Sequence, residues 1–129
     1  MKTIIAGSRT IQSYAPVLEA IRRSGMVITE VVSGKATGVD LMGERYAGEQ
    51  DIPVKPFPPD WAKHGKKAGI LRNLEMLDYA DQVIVVWDGT STGSQHTCKE
   101  GLRRGMPVFL QKVDVIVKAN QPTEYNLVD

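Results

Sequence analysis

The sequence predicts an α/β fold with a mostly parallel sheet of about five strands. Short runs of β-branched and other apolar residues alternate along the chain with segments in which apolar residues recur at helical spacing. Loops rich in glycine, serine and threonine directly follow three of these apolar runs. Strands that alternate with helices favour parallel pairing through right-handed crossovers, with helices on the faces of the sheet.

Three strands and two helices are expected in the first half of the chain. The strands are predicted at residues 3–6, 28–32 and 53–57, and two prolines in the third run suit an edge strand. Apolar residues at positions 14, 17, 18 and 21 form one stripe of the first helix, between a capping Ser13 and a terminating Gly25. Val39, Met42 and Tyr46 line one face of the second helix.

The second half begins with a predicted loop at residues 58–65. The longest helix candidate follows at 66–79, and its apolar stripe consists of Ile70, Leu71, Leu74 and Leu77. Strands at 82–87 and 107–110 flank a short helix at about 94–104, residues 113–117 extend the last strand or form another, and 120–129 is expected to be a tail. The chain, 1–129, is therefore predicted to be a single Rossmann-like domain, a three-layer sandwich with a core at about 2–111 and a C-terminal extension at 112–129.

Composition and charge narrow the classes of function. The 129 residues carry a formal net charge of +1, which provides no global attraction to nucleic acid or to an anionic membrane. The lone cysteine, Cys98, excludes an intramolecular disulfide and is expected to be a semi-buried helix residue. Two histidines and one cysteine at unrelated spacings predict no metal site. The apolar runs are too short for a signal peptide or a membrane span, so the protein is expected to be cytoplasmic.

Three loops at one edge of the predicted sheet carry candidate phosphate ligands. They follow three different strands, and ligands of parallel α/β sheets bind beyond the carboxyl ends of the strands. Backbone N–H groups at glycines and helix N-termini suit a phosphate, as do hydroxyl and guanidinium groups. The loops match neither a Walker A motif nor G-x-G-x-x-G. The candidate ligand-binding residues in them are Gly7, Ser8, Arg9, Ser33, Gly34, Lys35, Gly38, Asp40, Asp88, Gly89, Thr90, Thr92, Gly93 and Ser94.

A structural role for these loops is the alternative. Tight turns from strand to helix need glycine whether or not a ligand binds. Thr37 and Asp40 have a T-x-x-D spacing that resembles a capping box, so capping of the second helix is an equal alternative for these two residues. Asp88 and Gly89 are also consistent with a simple turn.

The segment 60–73 adds cations and an aromatic ring to the candidate site. Arg72 lies off the predicted apolar stripe of its helix, so it is expected either in solvent or at the ligand edge. Trp61 stacks on a base or pins the loop. The lysines at 63, 66 and 67 are expected on a solvated face, and His64 lacks an orienting partner for general-base chemistry.

The combination of motifs over about residues 2–111 resembles that of one family. The motifs are Gly7-Ser8-Arg9, Val32-Ser33-Gly34-x-x-x-Gly38-x-Asp40, Phe57-Pro58-Pro59-Asp60-Trp61, Gly65-Lys66-x-Ala68-Gly69-x-x-Arg72-Asn73-x-x-Met76-Leu77, Ala80-Asp81-x-Val83-Ile84 and Gly89-Thr90-Ser91-Thr92-Gly93-Ser94. They resemble the YspA/YpsA-related branch of the SLOG superfamily, which comprises small bacterial and phage proteins. The superfamily includes DprA, the LONELY GUY phosphoribohydrolases and sensor domains of bacterial immunity. The resemblance implies a Rossmann-like sheet that binds nucleotides or derivatives such as ADP-ribose-type molecules.

The resemblance also bears on catalysis. LONELY GUY enzymes hydrolyse an N-glycosidic bond with an arginine from an E-R-K motif and the glutamate that ends P-G-G-x-G-T-x-x-E. Leu71-Arg72-Asn73 is similar to the first motif, which implies the arginine role for Arg72 and a place at the ligand for Asn73. Thr97 occupies the glutamate position, and a hydroxyl cannot replace that carboxylate. Arg72 and Glu100, one helical turn further, are the remaining catalytic candidates, so the expectation leans away from an enzyme.

The leading hypothesis is a protein that binds a nucleotide or nucleotide-derived phosphate ligand as a sensor, carrier or sequestering protein. By analogy with the family it resembles, a phage protein of this kind is expected to sequester an immune signalling nucleotide. The alternatives are a LONELY GUY-type phosphoribohydrolase, a DprA-like binder of single-stranded DNA, and a scaffold that binds only another protein. The low net charge and the few aromatic residues argue against nucleic acid. The resemblance further implies a homodimer, and no cofactor other than the ligand itself is expected.

Overall fold

The computed structural model describes residues 1–116 and 124–128, with side chains described for 1–114. Strands and helices alternate as the sequence predicts. In chain order the elements are β1 (Lys2–Gly7), α1 (Tyr14–Ser24), β2 (Glu30–Ser33), α2 (Val39–Glu49), β3 (Val54–Pro56), α3 (Trp61–His64), a 3-10 turn (Gly65–Lys67), α4 (Ala68–Tyr79), β4 (Gln82–Trp87), α5 (Thr92–Arg103), β5 (Val108–Ile116) and β6 (Glu124–Val128). Among the helices so described, none has the length and apolar character needed to cross a bilayer.

The strands form one sheet in the order β3-β2-β1-β4-β5-β6. The first five strands of that order pair in parallel, and β6 pairs antiparallel with β5. The chain adds β2 and β3 on one side of β1, then places β4 on the other side and continues outward to β5. The strand order therefore reverses between β1 and β4, which is the position where α/β sheets form a crevice for ligands. The predicted α/β fold with a mostly parallel sheet of about five strands is confirmed.

Helices cover both faces of the sheet and make three layers. Right-handed crossovers that move in opposite directions along a sheet place their helices on opposite faces. On one face, Ile5 and Ile84 pack in a buried cluster with residues of α1 and α2. On the other face, Ile4 and Val85 pack with residues of α4 and α5, including Cys98. The central strands are buried on both sides, which explains their continuous apolar runs.

Several predicted boundaries are confirmed by the structure. Ser13 occupies the N-cap position of α1, and Gly25 ends that helix in the left-handed conformation with φ of 64°. The short third strand lies at the edge of the sheet, as its prolines predict. The fifth strand continues to Ile116, so residues 113–116 extend it rather than forming a separate strand, and 117 lies outside the described residues.

Two segments predicted to be irregular contain regular structure instead. The loop expected at 58–65 holds the single turn α3, because the Asp60 carboxylate accepts a hydrogen bond from the Lys63 N–H at 3.0 Å and starts a helix. The tail expected at 120–129 contains β6, which pairs antiparallel with β5. The rest of that predicted tail, 120–123 and 129, lies outside the described residues.

The predicted apolar stripe of α4 is wrong except at Leu77. Ile70 is 51% exposed, and Leu71 and Leu74 are only partly buried. The inward face instead carries two polar residues, Arg72 and Asn73, followed by apolar residues one turn later. Apolar periodicity did not identify this face, because its polar side chains hydrogen-bond to one another and to the neighbouring loop.

Candidate functional site

A cleft of about 460 Å³ opens at the carboxyl ends of β1 and β4, where the strand order reverses. This volume lies within the range of small-molecule sites. Residues of all three predicted loops contribute to the cleft, together with residues of α4 and α5. The lining residues are Ala6, Gly7, Arg9, Thr10, Ala36, Asp40, Arg72, Asn73, Met76, Asp88, Thr90, Ser91, Thr92, Gly93, Ser94 and Thr97.

The first turn of α5 presents backbone N–H groups at the cleft. Ser91 is the N-cap residue, but its side chain makes no capping hydrogen bond. Its carbonyl oxygen accepts a hydrogen bond from Trp87 Nε1 at 2.9 Å, which holds the loop in place. The first N–H groups of a helix have no intrahelical acceptor, and they carry the positive end of the helix dipole. Residues 92–94 therefore form a potential anion site.

The Asp88 carboxylate organises the loop before α5. One of its oxygens accepts hydrogen bonds from the Thr90 N–H at 2.9 Å and the Ser91 N–H at 2.8 Å, and the other accepts one from Thr10 Oγ1 at 2.7 Å. Partial burial would raise the pKa of Asp88, but hydrogen bonds from these partners and from Ser8 outweigh it and lower the pKa to about 2. Asp88 therefore remains a carboxylate at neutral pH and keeps the loop in one conformation.

The end of β1 is fastened to β4 by residues that the sequence assigned to the ligand. The Ser8 N–H donates to the Val86 carbonyl oxygen at 3.0 Å, and Ser8 Oγ accepts from the Asp88 N–H at 2.9 Å. A Cβ atom at Gly7 would lie 2.0 Å from the Val86 carbonyl oxygen, so this close approach requires glycine. Ser8 is fully buried and joins two loops. Gly7 lines the cleft itself.

Arg9 extends from this anchored turn to the edge of the cleft. Its side chain is exposed, and within the described part of the chain no hydrogen bond or ion pair engages the guanidinium group. Arg9 also lies close enough to Asp40 to lower the pKa of that carboxyl group, although burial is the larger influence there. An arginine with this freedom can reorient to meet an anionic ligand.

Arg72 and Asp40 meet around Gly34 on the opposite wall of the cleft. Arg72 is 9% exposed; its Nε donates to Asn73 Oδ1 at 2.8 Å, and its Nη1 donates to the Gly34 carbonyl oxygen. A Cβ atom at Gly34 would lie 2.7 Å from Arg72 Nη1 and 2.8 Å from Asp40 Oδ2, so both charged groups depend on a glycine there. Of the two positions predicted for Arg72, solvent is wrong, because the side chain is buried at the cleft wall.

Burial dominates the electrostatics of this pair. It raises the pKa of Asp40 to about 6, although Arg72 and the backbone N–H groups of Ala36 and Gly7 act in the opposite direction. It also lowers the pKa of Arg72, which Asp40 partly offsets. The charged side chains that line the cleft are thus two arginines and two aspartates. Among the described residues, no group of three histidine, cysteine, aspartate or glutamate side chains is arranged to hold a metal ion.

The second loop turns its polar side chains toward α2 instead of the cleft. Ser33 Oγ donates to the Glu44 carboxylate at 2.7 Å, and Lys35 Nζ pairs with the same carboxylate at 2.8 Å. Both residues were predicted at the ligand, and neither lines the cleft. They fix the path of the loop, and this path brings Ala36 and Asp40 to the cleft wall.

The capping alternative for Thr37 and Asp40 is wrong. Gly38, with φ of 80°, is the N-cap residue of α2, so Thr37 does not cap this helix, and Asp40 Oδ2 accepts from the Ala36 N–H at 3.4 Å. A Cβ atom at Gly38 would lie 2.6 Å from the Ser8 carbonyl oxygen, so the glycine lets the first two loops approach each other. Thr37 is exposed, whereas Asp40 is buried beside Arg72.

Three further candidates lie outside the cleft. Trp61 is 51% exposed in α3, and a Cβ atom at Gly69 of α4 would lie 3.7 Å from its ring. Gly89 supports the turn after β4 with φ of 91°. The Glu100 carboxylate accepts hydrogen bonds from Arg103 and Arg104, and it does not line the cleft.

Six lining residues were not among the predicted ligand residues: Ala6, Thr10, Ala36, Met76, Ser91 and Thr97. Thr10 and Ser91 directly adjoin predicted residues, so the sequence already contained a signal for them. Met76 follows Arg72 by one helical turn, and that spacing places both on the inward face of α4. Thr97 is 2% exposed, and its hydroxyl donates to the Gly93 carbonyl oxygen at 3.1 Å inside α5.

Comparison with known proteins identifies relatives of this chain. Residues 1–64 match the family described as the YspA, cpYpsA-related SLOG family. The chain is also similar to the Gene 61 protein of Mycobacterium phage D29, with 35% identity over 120 residues. That alignment covers 84% of this chain and 94% of the phage protein, whose name specifies no activity. The first two loops of the cleft and Arg9 fall within the family match, whereas Arg72 and α5 lie beyond it.

Proposed function

We propose, because the chain belongs to the YspA, cpYpsA-related SLOG family, that its cleft binds a nucleotide or nucleotide-derived phosphate ligand. The family suggests a nucleotide-related ligand, and the cleft supplies groups that suit one. The observation that carries the proposal is the uncapped first turn of α5 facing the same cleft as Arg9 and Arg72. Backbone N–H groups and guanidinium groups that converge on one cavity are the usual partners of phosphate oxygens.

We assign the protein a binding role, as a sensor, carrier or sequestering protein, and not a hydrolytic one. The Thr97 hydroxyl lines the cleft where a phosphoribohydrolase-like glutamate would be expected, and its proton already donates within α5. Glu100, the other acidic candidate, is held by two arginines away from the cleft. The phage relative fits a phage or bacterial protein of this kind.

Thermal unfolding in the presence of nucleotides tests the proposal. The panel contains AMP, NAD, ADP-ribose and cyclic dinucleotides, and each mixture is afterwards separated by reversed-phase chromatography. A ligand at about 100 times its Kd raises the free energy of unfolding by roughly 2.7 kcal/mol, a shift of several degrees in Tm for a domain of this size. The expected result is a shift with the ligand recovered intact. A shift accompanied by release of free base would instead establish a hydrolase.

The variant Arg9→Ala tests whether the ligand binds in this cleft. Arg9 is exposed, so its removal should leave the Tm of the free protein unchanged while weakening the ligand about tenfold, the effect of one lost charge-assisted hydrogen bond. Arg22→Ala is the matched control, because Arg22 is an exposed arginine that pairs with Glu19 on α1 and does not line the cleft. Equal ligand affinity in wild type and Arg9→Ala would place the ligand elsewhere.

A further inference from the structure

We infer that the cleft selects nucleotide ligands with two negative charges over those with three or four, and that Asp88 sets this limit. The inference rests on the proposed function and specifies the class of ligand. A phosphate monoester such as AMP carries about two charges at neutral pH, because the second pKa of a terminal phosphate is about 6. A diphosphate diester such as ADP-ribose also carries two charges, one on each phosphate. ADP and ATP carry about three and four.

The lining of the cleft offers only two cationic side chains to an anionic ligand. Arg9 and Arg72 are the cationic side chains among the described lining residues, and the first turn of α5 adds a partial positive charge. Asp40 and Asp88 oppose them, so the formal side-chain charge of the cleft is balanced when both carboxyl groups are ionised. A third or fourth negative charge on a ligand meets no further cation in this lining.

Nearby lysines do not change this balance within the cleft. Lys35 Nζ is paired with the Glu44 carboxylate at 2.8 Å. Lys112 approaches Gly89, but it is not part of the cleft lining.

Asp88 is placed to repel additional phosphate. Its carboxylate accepts the N–H of Ser91, the N-cap residue of α5, so its negative charge is fixed beside the potential anion site. Hydrogen bonds from Thr90 and Thr10 occupy the carboxylate further and hold it in this position. A fixed charge a few ångströms from a phosphate weakens binding by roughly threefold to tenfold for each additional unit of ligand charge.

The variant Asp88→Asn removes the negative charge of this side chain while keeping the hydrogen bonds that hold the loop. The asparagine carbonyl oxygen can still accept from the Thr90 and Ser91 N–H groups, and its amide can donate to Thr10 Oγ1. Asp51→Asn is the matched control, because it makes the same charge change at an exposed position, and asparagine tolerates the left-handed φ of 55° found there. The Tm of each free variant shows whether the fold is intact.

Isothermal titration calorimetry at pH 7.5 with EDTA compares AMP, ADP-ribose, ADP and ATP. The wild type and Asp51→Asn should bind AMP and ADP-ribose at least about tenfold more tightly than ATP. Asp88→Asn should narrow that ratio by roughly threefold to tenfold for each of the two additional charges of ATP. Adding Mg²⁺, which neutralises two charges of ATP, should also narrow the ratio for the wild type.

Three results would overturn the inference, and they are distinguishable. ATP binding as tightly as AMP in EDTA would refute the charge limit and leave the proposed function standing. An unchanged ratio in a folded Asp88→Asn variant would remove Asp88 from the explanation. If no nucleotide binds the wild type, the proposed function itself is wrong, and this inference falls with it.

Discussion

Replacing Asp40 with asparagine tests the electrostatics of the cleft through the stability of the free protein. Asp40 is 4% exposed, and burial raises its pKa from 3.8 to about 6 in the folded chain. The unfolded chain therefore loses this proton at a lower pH than the folded chain does. As the pH rises, the unfolded state is favoured, so the free energy of unfolding falls from about pH 4 until the pH passes about 6.

The size of the effect follows from the two pKa values. They differ by about 2, and each unit corresponds to about 1.4 kcal/mol, which makes roughly 3 kcal/mol in total. About half of this is already lost at pH 5, which leaves about 1 kcal/mol between pH 5 and pH 7. Asp88 and Glu100 have pKa values lowered to about 2, so the stabilisation they contribute is lost mainly at more acidic pH and changes little in this window.

Urea unfolding at pH 5, 6 and 7 measures this difference in wild type, Asp40→Asn and Asp51→Asn. Asparagine at position 40 cannot ionise, so Asp40→Asn should lose about 1 kcal/mol less stability than the wild type between pH 5 and pH 7. The loss of attraction to Arg72 changes the free energy of unfolding of Asp40→Asn by the same amount at each pH. It therefore cancels when the difference between pH 5 and pH 7 is compared with that of the wild type. Asp51→Asn should follow the wild type, because Asp51 is exposed. Identical pH dependence in Asp40→Asn and wild type would refute the reasoning.

The remaining predictions concern the anchor of β1 and the role of α5. Gly7→Ala should lower the free energy of unfolding by about 3 kcal/mol or more, because its Cβ would lie 2.0 Å from the Val86 carbonyl oxygen. The control is Gly48→Ala in α2, whose Cβ would meet no atom within 4 Å, so this variant should be as stable as the wild type or more stable. Urea midpoints of the two variants check this, and equal midpoints would contradict it. Glu100→Gln should leave nucleotide affinity unchanged, because Glu100 contacts Arg103 and Arg104 outside the cleft. Calorimetric titration checks that affinity, and a tenfold loss would place Glu100 at the ligand.

Local pattern in the sequence was enough to predict the layers of the fold and the edge of the sheet that carries the cleft. Buried parallel strands need continuous apolar runs, and the helices that cover them need one apolar stripe, so both are visible within about ten residues of chain. Glycines at strand ends marked the loops for the same reason, since tight turns there depend on local backbone geometry. Arg9 and the loop 88–94 were found in this way, and the structure places Arg9, Asp88 and residues 90–94 at the cleft.

Contacts between distant segments decided the rest. The inward face of α4 was missed because Arg72 is held by the Gly34 carbonyl, 38 residues away, and by Asn73, so a polar residue is buried where local pattern would place an apolar one. Whether Asp40 caps a helix or lines a cleft likewise depended on the loop that Glu44 holds. The sequence by itself therefore determined an α/β sandwich with loops rich in glycine, serine and threonine at one edge of the sheet. Only the tertiary structure decided which of their polar groups face the cleft, because burial and pairing of a charge depend on neighbours from other parts of the chain.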